Sequence, residues 1–152
     1  MKILMVCLGN ICRSPLADGI LRDKLKAENL NHSVDSCGTS NHHIGQQPDE
    51  RMTETALKYG YDLTNLTARQ FKVNDFNVFD VIYVMDSSNY NNVIRLASSE
   101  KDKLKVKIFL NELYPNQNMA IPDPYYGGEK GFEDVFVLVD KATDVIIENL
   151  KI

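Results

Sequence analysis

The chain has 152 residues, 43% of them hydrophobic, with 17 Lys+Arg against 21 Asp+Glu, a formal net charge of −4 and three cysteines. That is enough apolar material for one domain with a real core, and the acidic balance leaves no basic footprint for nucleic acid or an anionic membrane. No apolar stretch has the length of a membrane span or the form of a secretory signal, and three cysteines cannot all pair. The expectation is a cytoplasmic protein with resting thiols and no zinc-type Cys/His ligand spacing.

Ile3 to Val6 is a continuous apolar run, as in a strand buried on both faces, and Ser14-Pro15 reads as a helix start with Ser as N-cap and Pro at the first helical position. Between them lie Cys7, Leu8, Gly9, Asn10, Ile11, Cys12 and Arg13. A turn of this kind at a helix N-terminus aims successive backbone N–H groups at one spot, where the helix dipole adds positive potential, so it suits a dianionic phosphate. Gly9 relieves the tight backbone, Arg13 can fork two hydrogen bonds onto two phosphate oxygens, and Cys7 then lies beneath the phosphorus. The groups that favour phosphate also favour a thiolate nucleophile. A Cys-x5-Arg spacing alone is a weak signal; its setting between strand and helix gives it weight.

Leu16, Ala17, Ile20, Leu21 and Leu25 recur at helical spacing, which predicts an amphipathic helix over 15–28 ended by Asn29. His32 to Ser36 is a short strand, followed by a polar loop, Cys37 to Asn41. His42 and His43 are adjacent and have no carboxylate or Cys at ligand spacing, so they do not read as a metal site. Pro48 to Tyr59 reads as a helix closed by Gly60, residues 61–79 as mostly connection, and Val78 to Met85 as a buried strand. Asp86 caps a helix toward Leu96, Lys105 to Leu110 gives a fourth strand, and the stripe from Phe132 to Leu150 marks a last helix over 131–150.

Strand–helix alternation implies an α/β fold. The expected form is a three-layer sandwich whose central, mostly four-stranded parallel sheet has flavodoxin-like topology and helices on both faces. Ligands on such sheets bind beyond the carboxyl ends of the strands, where Cys7 falls. With no internal repeat, linker or low-complexity segment, residues 1–152 read as a single domain.

Near the C-terminal helix, Pro122 and Pro124 restrict the backbone on both sides of Asp123, and Tyr125-Tyr126 follow. Taken alone, this is a solvated Asp in a Pro-rich turn. The segments Cys7-Leu-Gly-Asn-Ile-Cys-Arg-Ser-Pro15, Asp35-Ser-Cys-Gly-Thr-Ser40, Ala68-Arg69-Gln70, Val84-Met85-Asp86 and Pro122-Asp-Pro-Tyr-Tyr126 together resemble the low-molecular-weight protein tyrosine phosphatases of bacterial type. The resemblance implies Cys7 as nucleophile, Arg13 as phosphate clamp, Asp123 as general acid and base, and Leu8 to Cys12 with Ser14 as the phosphate-binding loop. It also implies loop support by a hydrogen bond from Ser36, substrate-facing walls at His42, Tyr125 and Tyr126, and catalysis without metal or cofactor. The substrates it implies are phosphotyrosine-containing proteins, with phosphate or other oxyanions as inhibitors.

The chain departs from the pattern at Leu66, where relatives commonly carry a His that helps to organise the loop. Thiol-coupled arsenate reductases on similar scaffolds need further cysteines, and Val84 to Asn92 has none. Phosphoarginine phosphatases carry Thr where this chain has Ile11, and an inactive phosphoprotein-binding module would not need Cys7, Arg13 and Asp123 together.

Overall fold

The computed structural model describes residues 1–124 and 128–152. Four parallel strands, β1 (Lys2–Cys7), β2 (Ser33–Gly38), β3 (Val81–Val84) and β4 (Val106–Ile108), form one sheet in the order β2-β1-β3-β4. Among the described residues, six helices accompany them: α1 (Arg13–Ala27), α2 (Glu50–Lys58), α3 (Asp75–Val78), α4 (Ser87–Ile94), α5 (Glu100–Leu104) and α6 (Gly128–Leu150), with a 3₁₀ turn at Phe109–Glu112. The α/β sandwich and its strand order are those expected.

The apolar run of β1 is divided by the pleat. Ile3, Met5 and Cys7 face a cluster built from α1, α2 and α6, whereas Leu4 and Val6 face Phe71, Phe76, Phe79 and Val93 on the other side. The central strand is therefore buried on both faces, which fixes its register: Val6 pairs with Cys37 of β2 and with Val84 of β3. On α6 the buried positions are Phe132, Val135, Phe136, Val139, Ala142, Thr143, Ile146 and Ile147. Lys24 ties α1 to this helix, its Nζ lying 2.7 Å from both Asp140 Oδ1 and Asp144 Oδ1.

Several boundaries differ from the sequence reading. Helix α1 begins at Arg13, its N-cap is Cys12, and no side chain caps it, so Ser14 lies within the first turn. Pro15 remains compatible there, because first-turn N–H groups have no intrahelical partner. Helix α2 is capped by Asp49, which accepts from Arg51 N and Met52 N, while Pro48 stands before the cap. Asp86 caps α4 as expected, accepting from Asn89 N. The short helices α3 and α5 fall in segments that carry too few periodic apolar residues to announce them.

Candidate active site

Strand β1 ends at Cys7, and its carboxyl edge opens into the turn that leads to α1. The turn wraps around the sulfur: Asn10 N donates to Cys7 Sγ at 3.3 Å, and Ser14 Oγ lies 3.0 Å from the same atom. Asn10 takes a left-handed φ of 59°, which a short polar side chain tolerates better than most. Its side chain then spans the turn, with Nδ2 donating to Ser14 Oγ at 2.8 Å and Oδ1 accepting from Arg69 N at 3.0 Å.

Backbone contacts hold the turn from outside. Thr39 N donates to Cys7 O, Ser40 N to Leu8 O, and Asp49 N to Ile11 O, all within 2.9 Å. Gly38 is required at the end of β2, because a Cβ there would sit 2.6 Å from Leu8 O and 3.0 Å from Asn10 N. These contacts pre-shape the loop before any ligand arrives.

Arg13, on the first turn of α1, is 3% exposed, and its Nη1 donates to Asp86 Oδ2 at 2.8 Å and to the Ile121 carbonyl at 2.9 Å. Anchoring Nη1 on two acceptors fixes the plane of the guanidinium, which lines the same pocket as Cys7. Asp123 also reaches this guanidinium, its Oδ2 3.7 Å from Arg13 Nη2. Cys7, Ile11, Cys12, Arg13 and Asp123 line one pocket of about 200 Å³, whose rim is made by Leu8, Gly9, Ser40, His42 and His43. Cationic, thiol and carboxyl groups thus converge on one small concave site of the size of a phosphoryl group and the start of its substituent.

Cys12 and Cys37 are different from Cys7 in their surroundings. Burial first, and then the nearby carboxylates of Asp49 and Asp123 and the sulfur of Cys7, push the Cys12 thiol far above its ordinary range. Burial likewise raises Cys37. Both stay protonated, so neither competes as a nucleophile. Asp18, one turn along α1, is fully buried; burial, opposed by the Arg22 guanidinium, raises its carboxyl to about 6.

Ser36, expected to support the loop, has its hydroxyl on the Asp18 carboxyl group. Ser36 is buried on β2 beside Asp18 of α1, and among the described residues the hydroxyl that reaches the sulfur belongs to Ser14. His42 lines the pocket rim as an exposed side chain, but its neighbour His43 lies closer to the loop. The His43 ring covers Gly9, where a Cβ would come within 2.9 Å of His43 Cδ2, and its Nδ1 is 2.9 Å from Gln46 Oε1. Tyr125 and Tyr126 lie outside the described residues. Leu66 is half-buried against the core and offers no polar atom, and the Arg69 backbone N–H is the donor that Asn10 receives.

Sequence reasoning missed the second duty of Asp86, the roles of Asn10 and Arg69, and the position of His43. The signal for Asp86 was available: an acid directly after a buried strand that neighbours β1 must sit on the same carboxyl edge as Cys7.

Residues 2–152 match the family described as low molecular weight phosphotyrosine protein phosphatase. A relative of that description from Schizosaccharomyces pombe is 41% identical over 143 residues, 91% of this chain and 90% of its own. Among solved structures, a protein tyrosine phosphatase of Entamoeba histolytica with Hepes in its active site matches with a TM-score of 0.92 at 37% identity, covering 99% of this chain and 97% of that one. The drosophila arginine phosphatase DARP matches with a TM-score of 0.92 at 29% identity, covering 100% and 99%.

Proposed function

The chain belongs to the low molecular weight phosphotyrosine protein phosphatase family and is a protein-tyrosine phosphatase; from that premise we propose that Cys7, Arg13 and Asp123 divide its chemistry among them. The observation that carries this reading is the convergence of the three side chains on one pocket, with Arg13 anchored on Asp86 and Asp123 3.7 Å from its guanidinium.

The Cys7 thiolate attacks phosphorus, the P–O bond to the tyrosine oxygen breaks, and Asp123 gives its proton to that departing oxygen. The resulting Asp123 carboxylate takes a proton from water, whose oxygen attacks the same phosphorus. The S–P bond breaks, and inorganic phosphate and the Cys7 thiolate are released. Arg13 and the loop amides hold the non-bridging oxygens throughout, where charge accumulates in both transition states. Free phosphate fits the same donors and acts as a competitive inhibitor.

Phosphotyrosine-containing proteins are the substrates, because Ile11 and Leu8 offer an apolar wall beside the phosphate-binding amides. Phosphoarginine turnover, the alternative, would place a polar guanidinium against that wall. The three free cysteines suit a reducing compartment, which supports a cytoplasmic location; among the described residues no helix is long and apolar enough to cross a membrane.

Replacing the nucleophile tests the assignment: Cys7→Ser loses aryl phosphate hydrolysis while inorganic phosphate still binds by calorimetry. Turnover near the wild-type rate would exclude a cysteinyl-phosphate route.

A further inference from the structure

The sulfur of Cys7 stands at the end of a chain of hydrogen-bonding groups. Arg69 N donates to Asn10 Oδ1 at 3.0 Å, Asn10 Nδ2 donates to Ser14 Oγ at 2.8 Å, and Ser14 Oγ lies 3.0 Å from Cys7 Sγ. Asn10 is 2% exposed and Ser14 is fully buried, so water does not substitute for either partner.

The direction of this chain is set at its far end. Once the Asn10 carbonyl oxygen is committed to the Arg69 amide, the side chain has only its NH₂ to present to Ser14. A hydroxyl that accepts from that NH₂ keeps its own proton for an acceptor, either the Cys7 sulfur or the Cys37 carbonyl at 3.2 Å. Donation to the sulfur stabilises the thiolate.

Arg69 is built to hold that starting point still. Its guanidinium bridges Asp35 Oδ2, at 3.2 Å from Nε and 3.1 Å from Nη2, and Asp75, at 3.1 Å from Nη1 and 3.2 Å from Nη2. Asp75 is 2% exposed, and Asp35 lies on the edge strand β2. The Arg69 carbonyl accepts from Gly38 N at 2.9 Å, beside the glycine that touches the loop. One residue is thereby fixed at its side chain, its carbonyl and its amide.

We infer that Arg69 is a positioning residue for the nucleophile: the Asp35–Arg69–Asp75 clamp holds the Arg69 amide on Asn10, and Asn10, by donating to Ser14, leaves the hydroxyl 3.0 Å from the sulfur with its proton available when Cys7 is a thiolate. The inference rests on Cys7 being the nucleophile, but its test reads the sulfur directly. Loss of the phosphatase assignment would show as turnover by Cys7→Ser; failure of the relay would show as an unmoved alkylation profile.

The experiment is the pH dependence of Cys7 alkylation by iodoacetamide in the full chain, with kcat and KM measured beside it. Arg69→Lys keeps a positive charge but cannot span both carboxylates with the same fork, and its alkylation midpoint moves to higher pH by about half a unit or more. Asn10→Ala moves it the same way, and the double variant moves it no further than the larger single displacement. A falling Tm with an unmoved midpoint would reduce Arg69 to a structural residue and overturn the inference, as would additive displacements in the double variant. Should Arg69→Lys fail to fold, Asp35→Asn decides: it loosens the half-exposed side of the clamp and leaves the buried Asp75 paired, and a midpoint equal to that of the unaltered chain overturns the inference.

Discussion

Arg13 Nη1 stands 2.8 Å from Asp86 Oδ2, so the cation that meets the phosphate is itself held by an anion lying one strand away. The same carboxyl group caps α4 through Asn89 N at 2.7 Å. One side chain therefore serves both the site and the helix that follows β3.

The two duties of Asp86 separate by substitution. Asp86→Asn still caps α4, since Asn is as good an N-cap as Asp, and its Tm stays near that of the unaltered chain. Arg13 loses its charged anchor, and kcat/KM falls roughly ten- to a hundredfold through misplacement of the guanidinium. Asp86→Ala loses the cap as well, at about 1 kcal/mol of stability. Equal Tm losses in the two variants would refute this division.

Asp123→Ala slows phosphotyrosine hydrolysis by roughly 10²-fold or more, because an alkaline leaving oxygen then departs without a proton. An aryl phosphate whose ring strongly withdraws electrons needs little protonation and loses far less. A series of aryl phosphates of graded leaving-group acidity measures this, and parallel losses across the series would remove Asp123 from the acid role.

Ile11 predicts the order of substrates. A guanidinium laid against its side chain loses water without gaining a partner, at about 1 to 3 kcal/mol, which is roughly five- to 150-fold in kcat/KM against phosphotyrosine. Ile11→Thr narrows that gap by restoring a hydroxyl. A side-by-side comparison of phosphotyrosine and phosphoarginine, run with chelator, checks substrate class and metal dependence in one assay. Phosphoarginine turnover equal to that of phosphotyrosine would contradict the apolar-wall argument.

Asp18 sets part of the pH dependence of stability. Its carboxyl is raised to about 6 in the folded chain, against 3.8 as the ordinary value, so the folded state holds a proton that the unfolded chain has lost. The sign follows: this group favours folding below both values, and that contribution declines as pH rises from about 4 through about 6. Asp18→Asn keeps an acceptor for Arg22 and removes the titration. The stability of the variant relative to the unaltered chain therefore rises by roughly 2 kcal/mol between about pH 4.5 and about pH 7.5, read from denaturant midpoints. A difference that is flat with pH would show that Asp18 does not titrate in the folded chain.

The parallel sheet and the site loop were legible because they rest on local signals. A doubly buried strand reads as the unbroken run Ile3 to Val6, and the long helix α6 reads as the stripe from Phe132 onward. Ser14 was misplaced as a cap because a hydroxyl before a proline normally serves the helix; here it serves the sulfur, a contact seven residues back in the chain. The links from Asp86 to Arg13, from Arg69 to Asn10 and from Asp49 to Ile11 join residues far apart in sequence. Neither spacing nor propensity encodes such pairs, since each depends on which strand ends the fold brings side by side.

The anchors of the loop also carry a consequence for the order of events during synthesis and refolding. The turn itself is complete within the first dozen residues, yet its fastenings come from Thr39, Ser40, Asp49, Arg69 and Asp86, and Arg13 reaches the Ile121 carbonyl across 108 positions. Closing contacts of that span is entropically slow and follows assembly of the sheet that brings their ends together. A chain emerging from the ribosome therefore carries its reactive cysteine long before it can hold a phosphate, and enzymatic activity is among the last properties to return when the unfolded chain is diluted from denaturant.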